Sequence, residues 1–221
     1  MPLQPNKQIQ TSRAYPSIDD THYIPWLDVR LTGATMDHLW NIISDCRDDA
    51  RSQLAGNISK SAWLLDKDNY FYDNVLKKMS EYMFYEDWNN YYPEHITRVK
   101  PLTEFSLTKL WVNYQKQHEF NPLHDHKAMF SFVVFMKIPT HWKEQHTLPI
   151  SANSGKPVAS NFVFVWTEKD TDEIFKHTFK LSPEDEGRIL FFPGNLQHEV
   201  YPFYGTEEER VTVSGNILIK E

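Results

Sequence analysis

The sequence predicts an α+β fold, mostly β, in which supporting helices precede an antiparallel sandwich of the jelly-roll kind. Three observations lead there. Apolar residues recur at three- and four-residue steps before residue 100, which is helical spacing. From about residue 104 the rhythm becomes a run of short β-branched and aromatic segments. Helices followed by strands, rather than alternating with them, point to an antiparallel sheet sandwich. A double-sheet jelly roll is a common way to manage the edges of such strands.

Residues 1–25 are polar, contain four prolines and read as an extended arm, ending in a short strand around Trp26–Leu31. Thr35 is positioned to cap a helix running to about Leu54, with Met36, Leu39, Trp40, Ile43, Cys46, Ala50 and Leu54 on one face. Leu54-Ala55-Gly56-Asn57-Ile58 is a turn. A second helix over 69–85 carries Tyr72, Val75, Leu76, Met79, Tyr82 and Met83 in the same rhythm. Strands follow. Leu107, Lys109, Trp111 and Asn113 alternate with Thr108, Leu110, Val112 and Tyr114. Met129–Ile138 is apolar enough to be buried on both sides. Asn161–Thr167, Phe175–Leu181, Arg188–Phe192 and Arg210–Ile219 complete the set, separated by Pro and Gly turns. The stretch from Pro139 to Ser160 is long for a loop; such a segment is usually functional or disordered, and this one could fold over a pocket as a lid. The reading is one domain over 1–221, with arm and helices in 1–100 and the jelly-roll core in 101–221.

Composition narrows the function. The 221 residues carry a formal charge of -7, with acidic clusters at Glu184-Asp185-Glu186 and Glu207-Glu208-Glu209 and no basic stripe. A nucleic-acid partner would need such a stripe, so a small-molecule or peptide substrate is expected instead. The single cysteine, Cys46, cannot pair internally and reads as a buried, inert thiol on the first helix. No signal-like or membrane-spanning apolar run occurs, so the expected location is cytoplasmic. No nucleophile elbow, phosphate loop, Cys-x-x-Cys or dinucleotide fingerprint is present. Metal chemistry is the reaction class left with support.

That support lies in three segments. In Asn121-Pro122-Leu123-His124-Asp125-His126, an extended backbone would project His124 and His126 to one side. Both imidazoles could then reach a metal at about 2.1 Å. In Gly187 to His198 an apolar strand enters a Pro193-Gly194 turn, and a histidine follows four residues after the glycine. In Arg210-Val211-Thr212, twelve positions beyond His198 (210 − 198), the guanidinium and hydroxyl share one side. An Arg fork beside a hydroxyl is a good carboxylate receptor. The alternative for Arg210 is a surface charge paired with a nearby glutamate. Asn216 faces the same side. Phe130, Phe132 and Trp166 read as core or pocket wall. His118 and Glu119 sit in a loop, Glu119 being an outside candidate for a carboxylate ligand. His22, His38, His95 and His177 read as surface residues, and His141 and His146 belong to the long loop.

The ordered set of His-x-His, then Gly…Phe-Pro…His, then Arg-x-Thr resembles the Fe(II)/2-oxoglutarate oxygenases. It is most similar to a group of them with a Pro-x-His-x-His patch (here Pro122, His124 and His126) followed by a strand ending in Pro (here Ile138-Pro139). The resemblance covers about 104–219. It implies a double-stranded β-helix and an iron- and 2-oxoglutarate-dependent dioxygenase that hydroxylates an unidentified substrate. It further implies Fe(II) on His124, His126 and His198, with Arg210 and Thr212 holding the far carboxylate of 2-oxoglutarate. Tyr114 could hydrogen-bond that cosubstrate, or pack in the core. In the family the position two after the first His is acidic; here it is His126. Three readings stand: His126 ligates, Asp125 ligates through a bulged strand, or water or halide takes the third position. The competing class is a metal-binding jelly roll without catalysis or without a cosubstrate, as in cupins. Cupins usually add a Glu ligand after their His pair, and Lys127–Ser131 offers none.

Overall fold

The computed structural model describes residues 26–46, 48–84, 104–167 and 172–220. The arm expected over 1–25, with His22, and likewise His95, lie outside them. Ten strands form two sheets. The larger has six: β1 (Leu27–Arg30), β8 (Arg188–Pro193), β5 (Phe130–Lys137), β10 (Arg210–Ile219), β3 (Phe105–Gln115) and β2 (Ser61–Trp63), in that spatial order. The smaller runs β4 (Asn121–His124), β9 (Gln197–Val200), β6 (Phe162–Thr167) and β7 (Ile174–Phe179). Every pairing is antiparallel. This is the expected jelly roll, with few helices.

Strand alternation sorts the residues of the large sheet. One face carries Leu110 and Val112 of β3, Phe130, Phe132, Val134 and Met136 of β5, and Val211, Val213 and Ile217 of β10. Against it pack Leu39, Ile42 and Ile43 of α1 (Gly33–Ser44) and Phe71, Leu76 and Met79 of the second helical stretch. That stretch contains a π-turn over Tyr72–Leu76 and then α2 (Lys77–Tyr82). Phe71 meets Phe132 edge-on at 5.7 Å, joining helix to sheet. The opposite face carries Val133, Phe135, Leu190 and Phe192, which meet Phe162, Phe164 and Phe179 of the small sheet. Each fully buried Phe or Leu contributes about 1.5–3 kcal/mol of transfer free energy. The helices and the small sheet therefore cover separate faces of one sheet, and what lies between the sheets faces a cavity.

Several expectations are corrected. The cap of α1 is Thr32, whose Oγ1 accepts from the Thr35 amide, so Thr35 lies within the first turn. The helix stops at Ser44 rather than Leu54. The Ser44 hydroxyl donates to the Asn41 carbonyl at 2.7 Å, and such side-chain bonds compete with helix continuation. Trp40 is exposed. Cys46, half-buried beyond the helix, lies 3.7 Å from the Tyr114 hydroxyl. Ala50 is buried because its amide bonds Ser61, at β2. His38 and His177 are half-buried rather than on the surface: His38 bonds Asp66 at 3.0 Å, and His177 packs against Trp26 with ring centroids 4.9 Å apart. The Pro139–Ser160 segment holds a short helix, α3 (Trp142–Thr147), and none of its residues lines the cavity. It is not a lid. Among the described residues no helix is long and apolar enough to cross a membrane.

Candidate metal centre and anion receptor

The cavity between the sheets holds about 170 Å³. Its floor is built by alternation. Lys109, Trp111, Asn113 and Gln115 of β3 point into it, as do Arg210, Thr212, Ser214 and Asn216 of β10. Gln53 to Gly56 and Ile58 also line it, and the small sheet contributes Asn121, His198 and Val200.

At one end His124, His126 and His198 gather, with candidate ligand nitrogens all within 4.8 Å of one another. Ring centroids are 4.3 Å apart for His124–His198, 5.1 Å for His126–His198 and 5.2 Å for His124–His126. His124 and His198 face each other as register partners on β4 and β9. His126 arrives differently from the expected alternation. Strand β4 ends at His124, and the His126 amide then donates to the Gly194 carbonyl at 2.8 Å. Gly194 donates in turn to Met129 at 3.0 Å. A turn from the far side of the chain thus fixes the third imidazole. A side chain at 194 would not fit: a Cβ there would lie 2.2 Å from the Ala128 carbonyl oxygen.

The donor chemistry of the cluster suits a divalent transition metal. His124 Nδ1 lies 2.7 Å from the Pro122 carbonyl and His198 Nδ1 lies 3.0 Å from the Leu196 carbonyl. A carbonyl only accepts, so each Nδ1 carries a proton and each Nε2 is the nitrogen left to ligate. This is the outer-shell device that fixes the tautomer of ligating histidines. Burial, aided by the neighbouring imidazoles, holds His198 well below its ordinary range. Burial first and His124 second push His126 down to about 4. Both are neutral at neutral pH, the form a metal needs. Asp125 is exposed at the rim and is not part of the cluster. Glu119 is occupied elsewhere, accepting from the Ser59 and Lys116 amides.

The same cavity is lined by Arg210, which is 1% exposed. Among the described residues no carboxylate pairs with it, so the surface ion pair is overturned; of the nearby acids, Glu208 pairs with Lys137 and Glu207 accepts from Gln117. The guanidinium stacks over Phe203 at 5.1 Å, donates to the Ser160 carbonyl and hydroxyl, and reaches Gln115 at 3.4 Å. Its Nε is buried with no partner. Burial without a counter-ion pushes its pKa down to about 9. A buried cation with an unfilled N–H is costly until an anion meets it. Thr212 is on the same cavity face.

Tyr114 is corrected. From Leu110 onward the even-numbered β3 residues face the helices, and the Tyr114 ring packs there beneath Lys60 and beside Cys46, on the reverse of the sheet from the cavity. Gln115 and Asn113 are the β3 residues on the cavity side; they sit at the parity of Lys109 and Trp111, which alternation had grouped together. Asn216 lines the cavity and accepts from Ser131. Phe132 touches the cavity wall as well as the helix-facing core, while Phe130 is core and Trp166 stacks on Phe175.

Comparison with known proteins agrees with this architecture. Residues 109–216 match the family described as "Putative 2OG-Fe(II) oxygenase". No curated protein matches the chain in sequence. Among solved structures, a Pseudomonas putida prolyl-4-hydroxylase is similar with a TM-score of 0.50 and 14% identity, over 91% of this chain and 96% of that one. An oxidoreductase of the 2OG-Fe(II) oxygenase family from Burkholderia pseudomallei has a TM-score of 0.50 and 11% identity, over 86% of this chain and 84% of that one. At such identities the likeness is one of fold. The family match spans strands that carry both the histidine cluster and Arg210, and over residues 109–216 this chain is similar to the 2OG-Fe(II) oxygenases.

Proposed function

We propose that the protein is a dioxygenase that uses Fe(II) and 2-oxoglutarate to hydroxylate a small molecule or a peptide side chain. The observation that carries the reading is a single cavity lined by three clustered imidazoles, His124, His126 and His198, and by a buried guanidinium, Arg210, that has no counter-ion among the described residues. His124, His126 and His198 would hold the iron. Arg210, with Thr212, would receive the distal carboxylate of 2-oxoglutarate. Bound together, iron and cosubstrate supply the oxidising power of the reaction by activating dioxygen. The chain's own residues do the rest. Pro122 and Leu196 carbonyls hold two imidazoles in the ligating tautomer. Arg210 offers a charge in a dry site, where an anion is favoured strongly. Phe162 and Phe192 exclude water from the space between.

The test is anaerobic calorimetry of Fe(II)-loaded protein with 2-oxoglutarate, followed by succinate formation in air. Binding lost in Arg210→Met, with metal affinity kept, supports the reading. Metal binding without any 2-oxoglutarate binding refutes it. That result would favour a metal-binding, cupin-like jelly roll, a reading motivated by the lack of a carboxylate in the cluster among the described residues.

A further inference from the structure

The Pro139–Ser160 segment ends on an unusual residue. Ser160 is wholly buried and has φ +69°, the left-handed region that favours glycine. A serine held there is strained and persists only where the surroundings over-determine it. They do. Its amide donates to the Pro202 carbonyl at 2.8 Å. Its hydroxyl lies 3.2 Å from the Thr140 hydroxyl and 2.5 Å from Arg210 Nη2. Its carbonyl accepts from the same Nη2 at 2.9 Å. Glycine would relieve the backbone and keep the carbonyl contact, but it would lose the hydroxyl. The position therefore accepts strain in exchange for a side-chain oxygen on Arg210.

The remaining contacts of the guanidinium show what that oxygen does. An arginine has five N–H donors. Two go to Ser160 and one, at 3.4 Å, to Gln115. Gln115 is itself anchored by donating to the Glu119 carbonyl at 2.6 Å. Neither partner is charged, so the cation is oriented without being neutralised. Had an acid stood at either position, the guanidinium would be saturated and a ligand carboxylate would find no charge to meet. The neutral brackets keep Nε free.

We propose that Ser160 is a positioning residue: the Pro139–Ser160 segment, none of whose residues lines the cavity, aims Arg210 at the anionic end of the cosubstrate through the Ser160 hydroxyl and carbonyl. The inference rests on the reading of Arg210 as receptor for the 2-oxoglutarate carboxylate, and it adds a function for a segment that takes no other part in the site.

The experiment measures 2-oxoglutarate binding to the anaerobic Fe(II)-loaded protein by calorimetry for wild type, Ser160→Gly, Ser160→Ala, Arg210→Met and the Ser160→Gly/Arg210→Met double variant. Thermal melts and Fe(II) affinity are measured alongside. Loss of one charge-assisted hydrogen bond predicts about a tenfold or greater rise in the 2-oxoglutarate Kd for Ser160→Gly. Fe(II) affinity stays within about twofold, and the melting temperature does not fall. A purely structural serine would behave oppositely, since glycine suits φ +69° and would leave the Kd alone. In the double variant the serine change adds nothing beyond Arg210→Met, because its effect runs through that arginine. Wild-type Kd in Ser160→Gly, with binding lost in Arg210→Met, overturns the proposal and leaves the reading of Arg210 intact. Absence of 2-oxoglutarate binding in wild type overturns both. Ser160→Ala keeps the strain and drops the hydroxyl, so the proposal requires its Kd to rise at least as much as that of Ser160→Gly.

Discussion

Gly194 is expected to be irreplaceable even by alanine, and the expectation can be worked through in numbers. An alanine Cβ at this position would lie 2.2 Å from the Ala128 carbonyl oxygen, 2.8 Å from the Ala128 carbonyl carbon and 3.1 Å from the His126 carbonyl oxygen. All three are backbone atoms, so no side chain can swing away. Ordinary contact begins at 3.4 Å, so the two segments must part by about 1.2 Å (3.4 − 2.2). They are also tied on both sides of the clash, by His126 to Gly194 at 2.8 Å and by Gly194 to Met129 at 3.0 Å. A displacement of that size stretches both bonds past useful length. Two lost hydrogen bonds cost about 2 kcal/mol, and overpacking adds about 1–3 kcal/mol. Gly194→Ala should therefore lose roughly 3–5 kcal/mol, read as a lowered urea midpoint. The shift also moves His126, and a metal site tolerates about 0.2 Å of ligand displacement. Calorimetric titration with Zn(II) as a redox-inert probe should show at least a tenfold weaker site. A variant with unchanged stability and Zn(II) affinity would refute the claim that this turn sets the third imidazole.

Three further outcomes follow from the same geometry. Phe71→Ala removes a wholly buried ring that ties the second helical stretch to Phe132; a loss of about 3–5 kcal/mol in urea unfolding is expected, with Zn(II) binding to the survivors unchanged. Tyr114→Phe should leave 2-oxoglutarate binding within twofold of wild type, since the ring faces the helices; a large loss in calorimetry would show that the hydroxyl reaches the cavity. His177 is held below its ordinary pKa by burial, then by Arg188, against the opposing pull of Asp28. The unfolded chain therefore takes up this proton first as pH falls through about 6.5. The stabilisation from the neutral ring is complete above that pH and is lost as pH falls toward the folded-state value. Urea midpoints at pH 7.5 and 5.5 should diverge less in His177→Gln than in wild type, and equal divergence would count against the assignment.

Much of the β core was legible because alternation is a property of neighbouring residues. Lys109, Trp111 and Asn113 could be separated from Leu110, Val112 and Tyr114 by counting, and Arg210, Thr212 and Asn216 could be placed together in the same way. Counting does not say which set faces inward, and Tyr114 was misplaced for that reason. The gathering of His124 with His126 was expected from an extended strand, yet the strand ends at His124. The close approach of Gly194 to Ala128 brings His126 in, and that is a contact between segments about 65 residues apart, with no local mark. The end of α1 was missed because apolar spacing continues by coincidence to Ala50 and Leu54, whereas Ser44 and its neighbours disfavour helix. β2, three residues long, is too short to show a period. Ser160 was hidden most completely, since a left-handed residue is usually announced by glycine or asparagine.

The division of β3 and β10 into two sets of side chains has a consequence for how this molecule can change. The residues that hold the helices in place and the residues that meet a ligand are interleaved in the chain, yet almost none belongs to both groups. Selection acting on Asn113, Gln115, Ser214 or Asn216 can retune what enters the cavity while the contacts that keep the protein folded remain as they were. Insertions have no such freedom. One added residue within either strand would exchange the two sets beyond it unless a bulge absorbed it, as the register shift between Asn216 and Ile217 does. The expected history of this scaffold is therefore one of frequent replacement at alternate positions and rare change in strand length.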